Sequence, residues 1–355
     1  MKFSMAFIFS ALSIIGIVGN ILVITVVFKV RGMKTPTNCY LVSLAVSDTL
    51  FFIATTPTEL SSLFTKEYPF GSICCSLFTY LPYLAINTSS LSITAFTVER
   101  FIGVCHPFWA RTICTVKRAK LIIFIIWIFS LIYNFPWLFL SGLIVDEEGG
   151  YCDFKMGRED WKYKVMYVGD LVGFYVIPMF LNIIIYVKIA IVLSHCEDYK
   201  KYSVSAYLFN YLCTFMVHFH DSCVPQPSFN FRPLVVKMLA LVVFVFATCW
   251  LPYRAMVVNN SFRDEKWNSD GYIFFSKTMI FINCAINPIL YNLMSARFRA
   301  SFRSLLNGKA AINHQRRGFL PSSFVFISPL FFFFRYHLSV LTSKFPFSGM
   351  ISDSG

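Results

Sequence analysis

Five polar side chains, Asn20, Asp48, Ser89, Asn283 and Asn287, fall at similar depths inside long apolar runs. An amide or carboxylate is expensive in such a place, so each marks a working site or serves as hydrogen-bonded glue between helices. Their oxygens, centred on the Asp48 charge, make a set that can hold a hard cation such as sodium together with water. The same groups can also satisfy one another in a plain network, and the residue types leave both readings open. A second constellation is Glu99-Arg100-Phe101, followed by Cys105, His106 and Pro107. A Glu beside an Arg at the edge of an apolar run makes an ion pair that one state holds and another releases; the plainer alternative is a snorkelling surface pair. Two more runs carry prolines within apolar sequence: Phe246 with Cys249-Trp250-Leu251-Pro252, and Asn287-Pro288-Ile289-Leu290-Tyr291. Each proline removes a backbone hydrogen bond and kinks a helix, which makes the segment a lever.

The elements that must position these groups are membrane spans. With 57% hydrophobic and 14% charged residues in 355, the chain is too apolar for a soluble domain of its length. Apolar stretches of the roughly 20 residues needed to cross a ~30 Å hydrocarbon core recur near 5–28, 39–61, 74–104, 119–143, 166–194, 234–259 and 272–294. They predict an all-α, seven-helix membrane bundle over residues 1–306, with an atypical inner loop at 195–232 and a tail at 307–355. The first run is too long for a signal peptide and lacks a small-residue cleavage context at Asn20. Basic residues gather in alternate loops, at Lys29, Arg31 and Lys34, at Arg111, Lys117, Arg118 and Lys120, and at Arg297, Arg299 and Arg303, while most acids lie in the others. That asymmetry puts the N-terminus outside and the C-terminus in the cytoplasm. The net charge of +13 is therefore a topology signal and no argument for nucleic-acid binding. Cys75, at the outer end of the third run, and Cys152, in the long outer loop, stand in an oxidising location where a disulfide persists; Cys74 competes with Cys75 for that partner. No metal-ligand spacing, phosphate-binding glycine loop or nucleophile elbow occurs, so nothing points to an enzyme.

Taken in order, Gly19-Asn20, Leu44-Ala45-Val46-Ser47-Asp48, Glu99-Arg100-Phe101, Trp127, Pro178, Tyr186, Trp250 with Pro252, and Asn287-Pro288 with Tyr291 form a set. It resembles the motif set of the rhodopsin-like family of G-protein-coupled receptors, over residues 5 to about 306 apart from 197–231. Longer runs, Met33 to Val46, Ser92 to Thr97 and Lys237 to Ala240 among them, are similar to receptors of that family for a small, capped, C-terminally amidated peptide. The resemblance implies a plasma-membrane receptor whose partners are such a peptide, the lipid bilayer and a heterotrimeric G protein of the Gq class, acting through calcium. It implies no cofactor apart from a possible allosteric sodium at Asp48.

It also implies roles for residues. Tyr83 and Asn87, four apart on one helical face, would join Tyr253, Arg254 and Lys277 in lining the peptide pocket. Lys277 stands where the family carries an arginine; it keeps the charge and loses the planar five-donor fork, so a related amidated peptide is as good a candidate as the family's usual one. Contacts there would bear on Trp250 and Phe246, turn span six about Pro252 and free Arg100 from Glu99. Tyr186 and Tyr291 would stabilise the opened form, and Phe108 would plug into the G protein.

Several segments depart from this pattern. Only about four residues precede the first run, which points to a truncated gene model, and 203–231 is aromatic and cysteine-bearing where a polar loop belongs, as intron read-through would produce. Pro233 is expected to unwind the first turn of span six, and Phe101 replaces a usual tyrosine. These features favour a non-signalling decoy or truncated isoform as the competing reading. Phe298, Phe302 and Leu305, alternating with Arg297, Arg299 and Arg303, predict a short amphipathic helix on the cytoplasmic surface. The apolar tail from Phe319 to Phe347 is interrupted by Pro321, Pro329, Arg335, His337 and Lys344, which argues against an eighth span. A seven-span pump is the remaining class; Lys277 lies about one turn too far from Asn287 for a retinal lysine.

Overall fold

The computed structural model describes residues 2–65, 67–146, 149–155, 160–202, 232–263, 269–294 and 296–306. The expectations for 203–231 and for the tail from 307 lie outside the described residues. The chain forms α1 (Lys2–Lys29), α2 (Pro36–Phe64), α3 (Gly71–Cys105), α4 (Pro107–Ile113), α5 (Val116–Asn134) and α6 (Trp137–Leu140). A hairpin of β1 (Ser141–Asp146) and β2 (Gly149–Phe154) follows, then α7 (Trp161–Leu171), a π-helical turn (Val172–Val176), α8 (Ile177–Tyr202), α9 (Arg232–Ser261), α10 (Asp270–Met294) and α11 (Ala296–Leu306).

Local chemistry sets the boundaries. The Thr35 side chain accepts from the Asn38 N–H and Pro36 takes the first helical position, so α2 begins with its orphan donors reduced. Thr115 caps α5 in the same way, at Arg118. Among the described residues, six helical stretches are long and apolar enough to cross a membrane, with α3 outside that group. At 35 residues α3 is the longest helix, and the run Asn87-Thr88-Ser89-Ser90 lowers its apolarity while facing inward, all four residues being buried. α3 supplies the seventh span of the bundle.

The fourth span runs from Val116 to Leu140, close to the 119–143 that the sequence predicts. Its first helix stops at Asn134, where Pro136 has no N–H to continue the ladder; Phe135 and Pro136 keep helical dihedrals, the short helix Trp137–Leu140 follows, and a strand starts at Ser141. The antiparallel hairpin, with Leu143 opposite Cys152 and Asp146 opposite Gly149, was not legible as strand pairing. Pro233 does not unwind span six: the helix begins at Arg232, and a proline in the first turn loses only a donor that has no acceptor there anyway. 

α2 packs between α1 and α3, and α10 closes the ring against α1 and α9. The seam holds Phe9 stacked on Phe281 at 4.6 Å, with Phe51 and Phe52 edge-on to the same ring. Gly16 is required there, because a Cβ would run into the Phe52 ring.

Candidate functional site

At the hairpin end of the bundle, four helices each send one polar side chain to a common point. Asn87 of α3 is fully buried; its Nδ2 donates to Asn134 Oδ1 of α5 at 3.0 Å and to Asp170 Oδ1 of α7 at 2.8 Å. Its Oδ1 accepts from Arg254 Nη2 of α9 at 3.4 Å. Asn87 thus stands between a carboxylate and a guanidinium that do not touch. Asp170 Oδ2 and Arg254 Nε are buried with no hydrogen-bond partner, and the guanidinium lies 5.9 Å from the centroids of both Tyr175 and Trp250. A cavity of about 20 Å³ opens beside them, walled by Tyr83, Tyr167, Asp170, Trp250, Tyr253 and Arg254. Tyr83 lies flat on Trp137, with centroids 4.3 Å apart.

Of the five side chains assigned to a peptide pocket, Tyr83, Asn87, Tyr253 and Arg254 therefore meet. Lys277 does not line that cavity. It sits in a second and larger chamber of about 350 Å³, nearer the hairpin, with Glu59, Glu67, Tyr68, Thr79 and Tyr151, and the disulfide forms part of the wall. Its Nζ donates to both Glu59 oxygens, at 2.7 and 2.8 Å. The disulfide joins Cys75 to Cys152 across a Cα separation of 5.6 Å and leaves Cys74 as a free thiol. Burial pushes the Tyr68 phenol up to about 12, with the nearby Cys74 adding to the shift, so it stays neutral at ordinary pH. Its hydroxyl has no partner.

Asp170, Asn134 and Glu59 were missed in the sequence. Glu59 and Asp170 fall inside apolar runs, and the rule that flagged Asp48 applies to them equally.

In mid-bundle, Asn287 Nδ2 donates to Asp48 Oδ2 at 2.9 Å, and the Ser89 hydroxyl and Cys284 thiol also bond that carboxylate. Ser89 also pairs with Ser47 at 2.7 Å. Asn283 is buried alongside. Asp48, Ser89 and Ser47 present oxygens here, Asn287 offers an N–H and Cys284 a thiol, and Asn20 Oδ1 is buried without a partner. The groups as placed satisfy one another as a hydrogen-bonded network, and the oxygens among them also suit a hard cation. Asn20 has a different task from the one its depth suggested. Pro288 has no N–H to give the Cys284 carbonyl four residues before it, and Asn20 Nδ2 fills that acceptor at 3.1 Å. Pro178 leaves the Phe174 carbonyl free in the same way; the π-helical turn forms there, and Ser90 Oγ donates to that oxygen.

At the opposite end, Arg100 Nη2 lies 3.3 Å from Glu99 Oε1 and its guanidinium stacks over Phe96. Tyr186 reaches Thr97 at 3.4 Å and packs with Phe101 on Cys105 and Ile189. Trp250 is buried, with Phe246 and Phe51 against it, two residues before the Pro252 kink. Tyr291 is buried against Phe298 of α11, while Phe108 projects from α4 into the open.

A seven-helix bundle with this order of buried motifs defines a receptor class, and the comparisons agree. Residues 19–291 match the family described as 7 transmembrane receptor (rhodopsin family); the chain belongs to this family, a membrane-spanning receptor and not an enzyme. Within it, the chain is 41% identical to the thyrotropin-releasing hormone receptor of Gallus gallus over 82% of its own length and 76% of the relative's. It is 40% identical to the Homo sapiens receptor of the same name, over 83% and 76%. Neuromedin-U receptor 2 of Mus musculus is 31% identical over 84% and 74%. All three are neuropeptide receptors, and this chain is a G-protein-coupled receptor resembling them.

Proposed function

We propose that the chain is a plasma-membrane receptor for a short, C-terminally amidated peptide and signals through Gq-class G proteins and calcium. In this reading the hairpin end faces outward and the Glu99–Arg100 end faces the cytoplasm. The single observation that carries it is the convergence of Tyr83, Asn87, Tyr253 and Arg254 on one point between α3 and α9. Aromatic walls and amide-compatible donors suit a neutral peptide, and Trp250 shares the cavity, so a ligand there presses on the residue nearest the Pro252 kink. Agonist shifts the population by binding the open bundle more tightly than the closed one. Arg100 leaves Glu99 in that open form, and Phe108 meets the G protein.

The test is a calcium readout in cells expressing the chain, challenged with a panel of short amidated peptides; a flat response with verified surface expression would overturn the reading and favour a non-signalling decoy. With an active peptide in hand, Arg100→Ala is expected to abolish the calcium signal while leaving agonist binding measurable, and retained signalling would remove Arg100 from its role.

A further inference from the structure

The larger chamber is unlike the deep cavity in charge and in access. Among the described residues of its wall, two carboxylates, Glu59 and Glu67, stand with one ammonium, Lys277, and Tyr68 is neutral. The Lys277 and Glu59 side chains keep 33% and 18% of their surface open to solvent, which leaves the pair reachable by an incoming group. Lys277 spends its ammonium on both oxygens of Glu59, a geometry that a planar guanidinium satisfies better than a point charge does. The unpartnered Tyr68 hydroxyl lies on the same wall.

We infer that this chamber is a second ligand subsite, specific for a cationic side chain of the peptide and best for a guanidinium, which takes Glu59 from Lys277. The inference rests on the peptide-receptor reading and adds the class of residue the peptide must carry. Lys277, once displaced, turns its ammonium to a ligand carbonyl. An acidic group is disfavoured, because it meets the Glu59 and Glu67 carboxylates and a lysine already paired.

The experiment uses the full chain in lipid nanodiscs and three fluorescent tetrapeptide amides differing at one position: arginine, its neutral isostere citrulline, or glutamate. The arginine peptide is expected to bind about tenfold tighter than the citrulline peptide, the effect of one charge-assisted hydrogen-bonding contact. In Glu59→Gln that preference collapses. In Lys277→Gln it is kept or increased, because the competing cation is gone, whereas a merely structural role for the pair predicts a loss in both variants. Thermal unfolding of both variants checks that each is folded. Equal binding of arginine and citrulline peptides overturns the subsite. So does tightest binding of the glutamate peptide, or no binding by any of the three. Calcium responses to a neutral amidated peptide together with equal arginine and citrulline affinity would sink the subsite alone; arginine-selective binding with no calcium response to any peptide would sink the receptor reading alone.

Discussion

The bundle holds two charged pairs at its hairpin end, one deep and one shallow, and they are built in opposite ways. Arg254 and Asp170 are nearly closed off from solvent, at 8% and 3% exposure, and meet only through Asn87. Lys277 and Glu59 touch directly and remain part-exposed. In a low-dielectric interior an isolated charge is costly; the deep pair is served by the bridging Asn87 amide and by the Tyr175 and Trp250 faces beside the guanidinium, with Asp170 Oδ2 and Arg254 Nε left unpartnered. Near water a direct ion pair adds little stability and exchanges partners readily. The comparison separates a pair that holds the fold's binding surface in shape from a pair that is available to a ligand.

The most severe way to break the deep pair is to remove one partner. Asp170→Ala leaves Arg254 buried without its countercharge, for which about 3–5 kcal/mol of destabilisation is expected. Thermal unfolding of the detergent-solubilised chain and surface expression both read it. Adding Arg254→Met should recover much of the loss, since a long apolar side chain fills similar volume, and a double variant as unstable as the sum of the singles would show that the two charges are not coupled. Asn87→Ala comes next. It orphans Asp170 Oδ1 and Asn134 Oδ1 and removes the acceptor of Arg254, at about 1–3 kcal/mol for each unsatisfied group; it is predicted to be less damaging than Asp170→Ala because both charges remain.

The contrast also marks what was legible in the sequence. Seven spans, the arginine motif and the Asp48–Asn287 pairing follow from single residues set against apolar runs, because a polar group in a span has few ways to be satisfied. Arg254 was visible only through the family resemblance, and its partner was not: Asp170 lies two residues before a π-helical turn, and how far that irregular turn rotates it cannot be read from regular helical spacing. Asn20 was placed at the right depth, but the acceptors of its amide are backbone carbonyls, one of them freed by Pro288, which side-chain bookkeeping does not see. The hairpin escaped because Gly149 adopts φ 130°, a glycine-dependent geometry, within a segment whose composition continues the preceding apolar run. Lys277 was assigned to the peptide pocket through the family resemblance; its actual chamber depends on Glu59 from α2, a contact between distant parts of the chain.

The smallest expected stability effect belongs to the shallow pair, and it is the sharpest test of the comparison. Lys277→Gln and Glu59→Gln should each shift unfolding by less than about 1 kcal/mol, because partly solvated ion pairs return little once side-chain ordering and screening are counted. Exchanging the charges, as Glu59→Lys with Lys277→Glu, should leave thermal stability close to the parent, since the same two oxygens meet the same ammonium from the opposite helix. The equivalent exchange in the deep pair should fail, because Asn87 Oδ1, Tyr175 and Trp250 surround a guanidinium on α9 while Asn87 Nδ2 donates to a carboxylate on α7. A shallow swap as destabilising as Asp170→Ala would mean that Glu59 and Lys277 are structural after all, and the chamber between them would lose its claim to exchange partners with a ligand.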